Sequence, residues 1–116
     1  MFDFEKLEVY SQSRELTKKV LYFLFQKATF EIDPYLKDQL KRAVVSVTIN
    51  LAEGAGRMTP ADKRHFFNIS RSSTFECVSL FQILRDQLLI SDALYDELYA
   101  SAELVSKMLL GMIRAL

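Results

Sequence analysis

The chain has little cysteine, histidine, glycine or proline: one Cys, one His, three Gly and two Pro in 116 residues, with no Trp. One cysteine (Cys77) excludes an intrachain disulfide. With a single histidine (His65) it cannot assemble the usual zinc ligand set. No acidic cluster marks a site for a hard cation, so no metal or cofactor is expected. No apolar run approaches the ~20 residues that cross a bilayer, and the start lacks a basic stretch followed by an apolar run. A cytoplasmic protein without membrane contact is expected. Hairpin signals such as Asn-Gly and Asp-Gly are missing, which argues against strands. Net charge is also missing: 15 Lys and Arg balance 15 Asp and Glu.

What remains is an apolar half organised at spacings of three and four. Residues 1–116 read as a single all-α domain of four helices. The first is expected over Phe4–Ala28, with Val9, Leu16, Val20, Phe23 and Leu24 in one stripe. The second opens at Asp33-Pro34, an N-cap followed by proline at the first helical position. It runs to Glu53, where Gly54 and Gly56 supply left-handed stop signals. The third opens at Thr59-Pro60-Ala61-Asp62 and continues to about Leu89. The fourth opens at Ser91-Asp92 and carries Leu94, Leu98, Ser101, Val105, Met108 and Met112 as a heptad-like seam. Short connections make neighbours antiparallel, which predicts an up-down-up-down four-helix bundle.

Two helices carry more apolar surface than a lone bundle needs. Leu36, Leu40, Ala43, Val44, Val47 and Leu51 form the core arc of the second helix, with Val45, Ile49 and Ala52 opposite. On the third, the expected core arc is Phe66, Ile69, Ser73, Cys77, Leu80 and Leu84. Phe67, Val78 and Phe81 flank it, and Phe75 stands on the polar side. Extra apolar faces mark a subunit or partner interface, so Val45, Ile49, Phe67, Phe75, Val78 and Phe81 are the candidate homo-oligomer contacts.

A polar line runs beside the core of the second helix: Gln39, Ser46, Asn50 and Glu53. On the third helix Glu76 follows Ser72 and Ser73, and Arg71 is a candidate partner for a carboxylate across helices or subunits. These residues read either as paired carboxylates for acid–base work or as a structural network fixing helix register. The absence of a nucleophile or histidine in the pattern favours the network, and no enzyme is expected. Gly54-Ala55-Gly56-Arg57 reads as a C-cap and turn or as an anion cradle, without the spacing of a P-loop. His65 is expected to be exposed and Cys77 to be a packed thiol.

The zero charge is unevenly spread. Residues 37–71 hold seven basic residues against three acidic ones, while residues 72–116 hold three against six. Lys37, Lys41, Arg42, Arg57, Lys63 and Arg64 are therefore candidate phosphate contacts for RNA or DNA.

Arg-Ala-Val-Val-Ser at 42–46, Asn-Leu-Ala-Glu-Gly-Ala-Gly-Arg at 50–57 and Ser-Arg-Ser-Ser-Thr-Phe-Glu-Cys at 70–77 resemble the 23S rRNA intervening-sequence protein family. So does the opening Phe4-Glu5-Lys6-Leu7-Glu8-Val9-Tyr10. These are small bacterial four-helix bundles related to the accessory protein of diversity-generating retroelements. Many members carry Ile-Pro-Ser where this chain has Val47, Thr48 and Ile49, and Trp in place of Tyr10. The resemblance implies a ring-shaped homo-oligomer, a pentamer, without known catalysis. It also implies two kinds of partner: nucleic acid, or a nucleic-acid enzyme such as a reverse transcriptase.

Overall fold

The computed structural model describes residues 1–26 and 29–116. Four helices follow one another: α1 (Glu8–Leu24), α2 (Pro34–Ala55), α3 (Pro60–Asp86) and α4 (Asp92–Arg114), preceded by a short 3-10 turn, Asp3–Lys6. The expected all-α four-helix arrangement is present, and the molecule measures 44 × 25 × 22 Å.

Local chemistry sets most helix starts. The Asp33 carboxylate accepts the Tyr35 N–H at 2.7 Å, with Pro34 at the first position. Thr59 Oγ1 accepts the Asp62 N–H and Ser91 Oγ accepts the Leu94 N–H, each at 3.1 Å. Each cap satisfies one of the amides that a helix start leaves unbonded. The first helix begins later than expected. Glu5 accepts the Phe2 N–H at 2.9 Å and closes the 3-10 turn, and Leu7 then takes an extended conformation (ψ 129°). Its far end is also earlier, at Leu24, and the expected terminus Ala28 lies outside the described residues.

Two helix ends depart from the glycine rule. Gly54 lies inside α2, and Gly56 caps it with φ −85°, so neither glycine is left-handed. Gly54 is needed for close approach instead: a Cβ there would sit 2.7 Å from the ring of Phe67. The left-handed residue is Leu88 (φ 60°), where α3 ends three residues before the expected boundary. Leu88 N–H donates to the Arg85 carbonyl at 3.0 Å and Leu89 N–H to the Leu84 carbonyl at 2.9 Å. That pair of bonds is a Schellman motif with leucine where glycine usually stands.

Cross-helix bonds run in opposite senses along neighbours. Ser46 meets Ser73 at 2.8 Å and Ser70 donates to the Val47 carbonyl at 2.6 Å, so α2 and α3 are antiparallel. Lys63 Nζ donates to the Ala55 carbonyl at 3.0 Å near the turn joining them. Each helix packs against its two neighbours, α1 on α2, α2 on α3, α3 on α4 and α4 back on α1. The core holds the expected stripe of α1 and the expected arc of α2, with Leu36 partly buried at its edge.

The expected core arc of α3 is buried at Ser73, Cys77, Leu80 and Leu84 and departs from expectation only in its first turns and on its flank. Phe67 and Phe81 are buried core residues, not interface positions, whereas Phe66 is half-buried and Ile69 is exposed. The physical cause is the α2–α3 approach at Gly54, which draws Phe67 inward, and the packing of α4 along α3. On α4, Leu98 and Val105 stay in the seam. Tyr95, Ala102 and Leu109 join it, while Leu94, Met108 and Met112 pack partly buried against its edge and Ser101 is half-buried.

Candidate functional site

The expected polar line is bonded only in part. Asn50 Nδ2 donates to the Ser46 carbonyl at 3.0 Å and to Ser46 Oγ at 2.9 Å, and Ser46 in turn meets Ser73. Ser73 also donates to the Ile69 carbonyl at 3.0 Å. Buried hydroxyls bonded in this way avoid the desolvation cost of an unpaired polar group. Glu53 stands outside this chain, exposed, with Arg57 at 3.1 Å. Ser72 and Glu76 are exposed and Gln39 half-buried; no side-chain bond joins these three to the network. The shallow groove beside Glu53 is lined by Phe4, Ile49, Ala52, Gly56 and Arg57, and Glu76 is not part of it. The two carboxylates therefore do not form an acid–base pair within one chain.

A second set of hydroxyls joins α1 to α2. Thr17 Oγ1 donates to the carbonyls of Ser13 (2.9 Å) and Val44 (3.2 Å), and Thr48 Oγ1 donates to Ser13 Oγ at 3.1 Å. Sequence reasoning passed over these residues. Their signal was a small polar residue, Ser13, inside the buried stripe of Val9 and Leu16.

The six basic candidates do not form one patch. Arg42 lies on α2 and Arg57 two residues past its end, so about 20 Å of helix at 1.5 Å per residue separates them. Lys37, Lys41 and Arg42 belong to the start of α2. There Lys37 lies over the Phe30 ring at 5.5 Å and Arg42 pairs with Asp38 at 2.7 Å. Arg57, Lys63 and Arg64 gather at the α2–α3 turn. Arg57 lies 4.4 Å from the centre of the Phe66 ring while holding Glu53, and Arg64 is exposed.

Within the chain Arg71 is not paired with Glu76. Its guanidinium lies 4.9 Å from the centre of the Phe75 ring, and its Nε is buried without a hydrogen-bond partner. With Phe75, Val78, Tyr99, Glu103 and Lys107 it lines an α3–α4 groove of about 350 Å³, in which Glu103 holds Lys107 at 3.6 Å. Val45 is half-buried, while Ile49 and Phe75 are 54% and 52% exposed. His65 is exposed and Cys77 is buried in the core, as expected. Burial pushes the Cys77 thiol up to about 12, and the negative charge of Glu76 adds to the rise. A thiol so held is neutral and unreactive. Among the described residues no group of three potential metal ligands occurs, and no helix is long and apolar enough to cross a membrane.

The family model described as 23S rRNA-intervening sequence protein matches residues 5–111, nearly the whole bundle. The chain belongs to this family. Among curated proteins none matches it. A crystal structure from Bacteroides thetaiotaomicron, described as a protein of unknown function from the S23 ribosomal protein family, shares the fold with a TM-score of 0.82. It is 19% identical, and the match covers 90% of this chain and 97% of that one. The stretch from Asn50 to Arg57, which carried the resemblance, spans the end of α2, with Gly54 at its closest approach to α3.

Proposed function

We propose that this member of the 23S rRNA-intervening sequence protein family is a non-catalytic scaffold that self-associates and contacts nucleic acid. The observation that carries the reading is a pair of exposed apolar patches on two different sides of the bundle. Ile49 lies on the α2 side with Phe4 and Ala52; Phe75 lies in the α3–α4 groove with Val78 and Tyr99. Two unlike patches on one small domain suit a head-to-tail assembly, which forms a ring when the rotation between copies closes and a filament when it does not. The five-copy ring implied by the resemblance is the expected form.

The nucleic-acid contact falls to Arg57, Lys63 and Arg64, at the α2–α3 turn. In a ring this cluster repeats, so a weak single contact becomes a multivalent one. Binding of RNA and of DNA should weaken as salt rises, since phosphate contacts release counterions. Replacing Arg64 with Ala should lower affinity across sequences. Binding that ignores salt, or none at low salt, contradicts this part.

A second reading, a scaffold for a protein such as a polymerase, is favoured by a different observation. Tyr22, Phe25, Phe30, Tyr35 and Leu88 are all strongly exposed near the α1–α2 and α3–α4 connections. Co-purification of a protein partner that survives nuclease treatment would support it over the first.

A further inference from the structure

We infer that the α2–α3 turn takes unpaired nucleotides of a single strand, RNA or DNA, whose bases stack on the guanidinium plane of Arg57 and the ring of His65 while Arg64 meets a phosphate. The inference deepens the nucleic-acid reading and rests on it. The starting observation is a ladder of flat groups at the turn. The Arg57 guanidinium lies 4.4 Å from the centre of the half-buried Phe66 ring. The His65 ring meets the same ring edge-on, at 5.1 Å and 80°. Glu53 accepts from Arg57 Nη2 at 3.1 Å, a bond made at the edge of the guanidinium plane and not on its face. The Arg57 side chain remains 44% exposed, and His65 is exposed. A planar cation already held in place loses less freedom when a base stacks on it.

The charges at the turn favour bases over backbone. Lys63 Nζ is committed to the Ala55 carbonyl at 3.0 Å, and Arg57 to Glu53. Arg64 makes no ion pair among the described residues, and Asp62 stands exposed in the same first turn of α3. Arg57, Lys63 and Arg64 against Glu53 and Asp62 leave too weak a field to hold a duplex by its phosphates, which takes a row of Lys and Arg contacts. A duplex also hides its base faces in the stack and its base edges in the pairs. An unpaired base offers both. Its face suits Arg57 and His65, since single-stranded bases stack on guanidinium planes and on histidine and aromatic rings. Its amino groups suit Glu53, whose carboxylate accepts from a base edge and repels a phosphate. Met58, next to Arg57 in the chain and 94% exposed, adds a polarizable apolar contact.

The test uses the full chain and reads affinity by fluorescence anisotropy at low salt and across a salt series. The labelled probes are a single strand of about 12 nucleotides, its duplex with the complement, and an abasic strand of equal length and charge. The single strand should bind about tenfold tighter than the other two. It should bind alike as RNA and as DNA, because stacking reads the base and not the sugar. Arg57→Lys, which keeps the charge and removes the plane, should bring the single strand down toward the abasic one with the salt dependence unchanged. His65→Ala should act in the same direction, and circular dichroism checks that both variants keep their helicity. Arg64→Ala should weaken all three probes and flatten the salt dependence. Equal binding of the three probes, a strand bound only as RNA or only as DNA, or full affinity in both Arg57→Lys and His65→Ala overturns the stacking and leaves the phosphate contact standing. Failure of every probe to bind at low salt overturns the nucleic-acid reading itself and leaves the protein-scaffold reading.

Discussion

Gly54 and Cys77 show how single side chains set the frame of the molecule. Gly54 is buried in α2 where any Cβ would strike the ring of Phe67, itself held in the core. Alanine there gains up to about 1 kcal/mol of helix propensity. It loses about 1–3 kcal/mol to overpacking. Gly54→Ala should therefore lower stability by about 1–2 kcal/mol in denaturant unfolding, the reverse of the usual sign inside a helix. Cys77 gives a pH signature. Its thiol titrates at about 12 in the fold against 9.0 ordinarily. Between these values the unfolded chain has lost a proton that the folded chain keeps, so stability is full below about 9 and falls as pH rises toward 12. Cys77→Ala should show a shallower alkaline loss than the wild type when denaturant midpoints are followed across that window.

At the scale of helices, the clearest signals in the sequence were the ones with local causes. Asp33-Pro34, Thr59-Pro60 and Ser91-Asp92 each mark an observed start, because a capping side chain acts within three residues. The apolar stripes of α1 and α2 were legible for the same reason: each meets its neighbours along one continuous face. The first turns of α3 were not, since Phe66, Phe67 and Ile69 are equally apolar and only the approach at Gly54 decides which is buried; further along, Ser73, Cys77, Leu80 and Leu84 are buried as expected. The end of α3 was missed because its Schellman turn uses Leu88 instead of glycine. Leucine pays about 1–2 kcal/mol in the left-handed region. Leu88→Gly should therefore raise stability by up to about 1 kcal/mol, seen as a higher thermal midpoint, and lengthen no helix. The candidate site was half legible. Ser46 and Ser73 do bond across helices, with Asn50 bonded to Ser46 along α2, but Glu53 and Glu76 lie outside their network. Charge counting along the chain could not show that Lys37 sits at the start of α2 and Arg57 in the turn beyond its far end.

The molecule as a whole has zero net charge, yet it presents a basic turn and two apolar patches. The proposed head-to-tail assembly would bury both patches and repeat the turn. Mass in solution is the most direct test of this claim. Light scattering at micromolar concentration should give a multiple of the 13.4 kDa chain mass. Ile49→Asp, at an exposed position, should shift it toward a single chain without loss of helicity. A wild-type mass of one chain at every concentration would contradict the account.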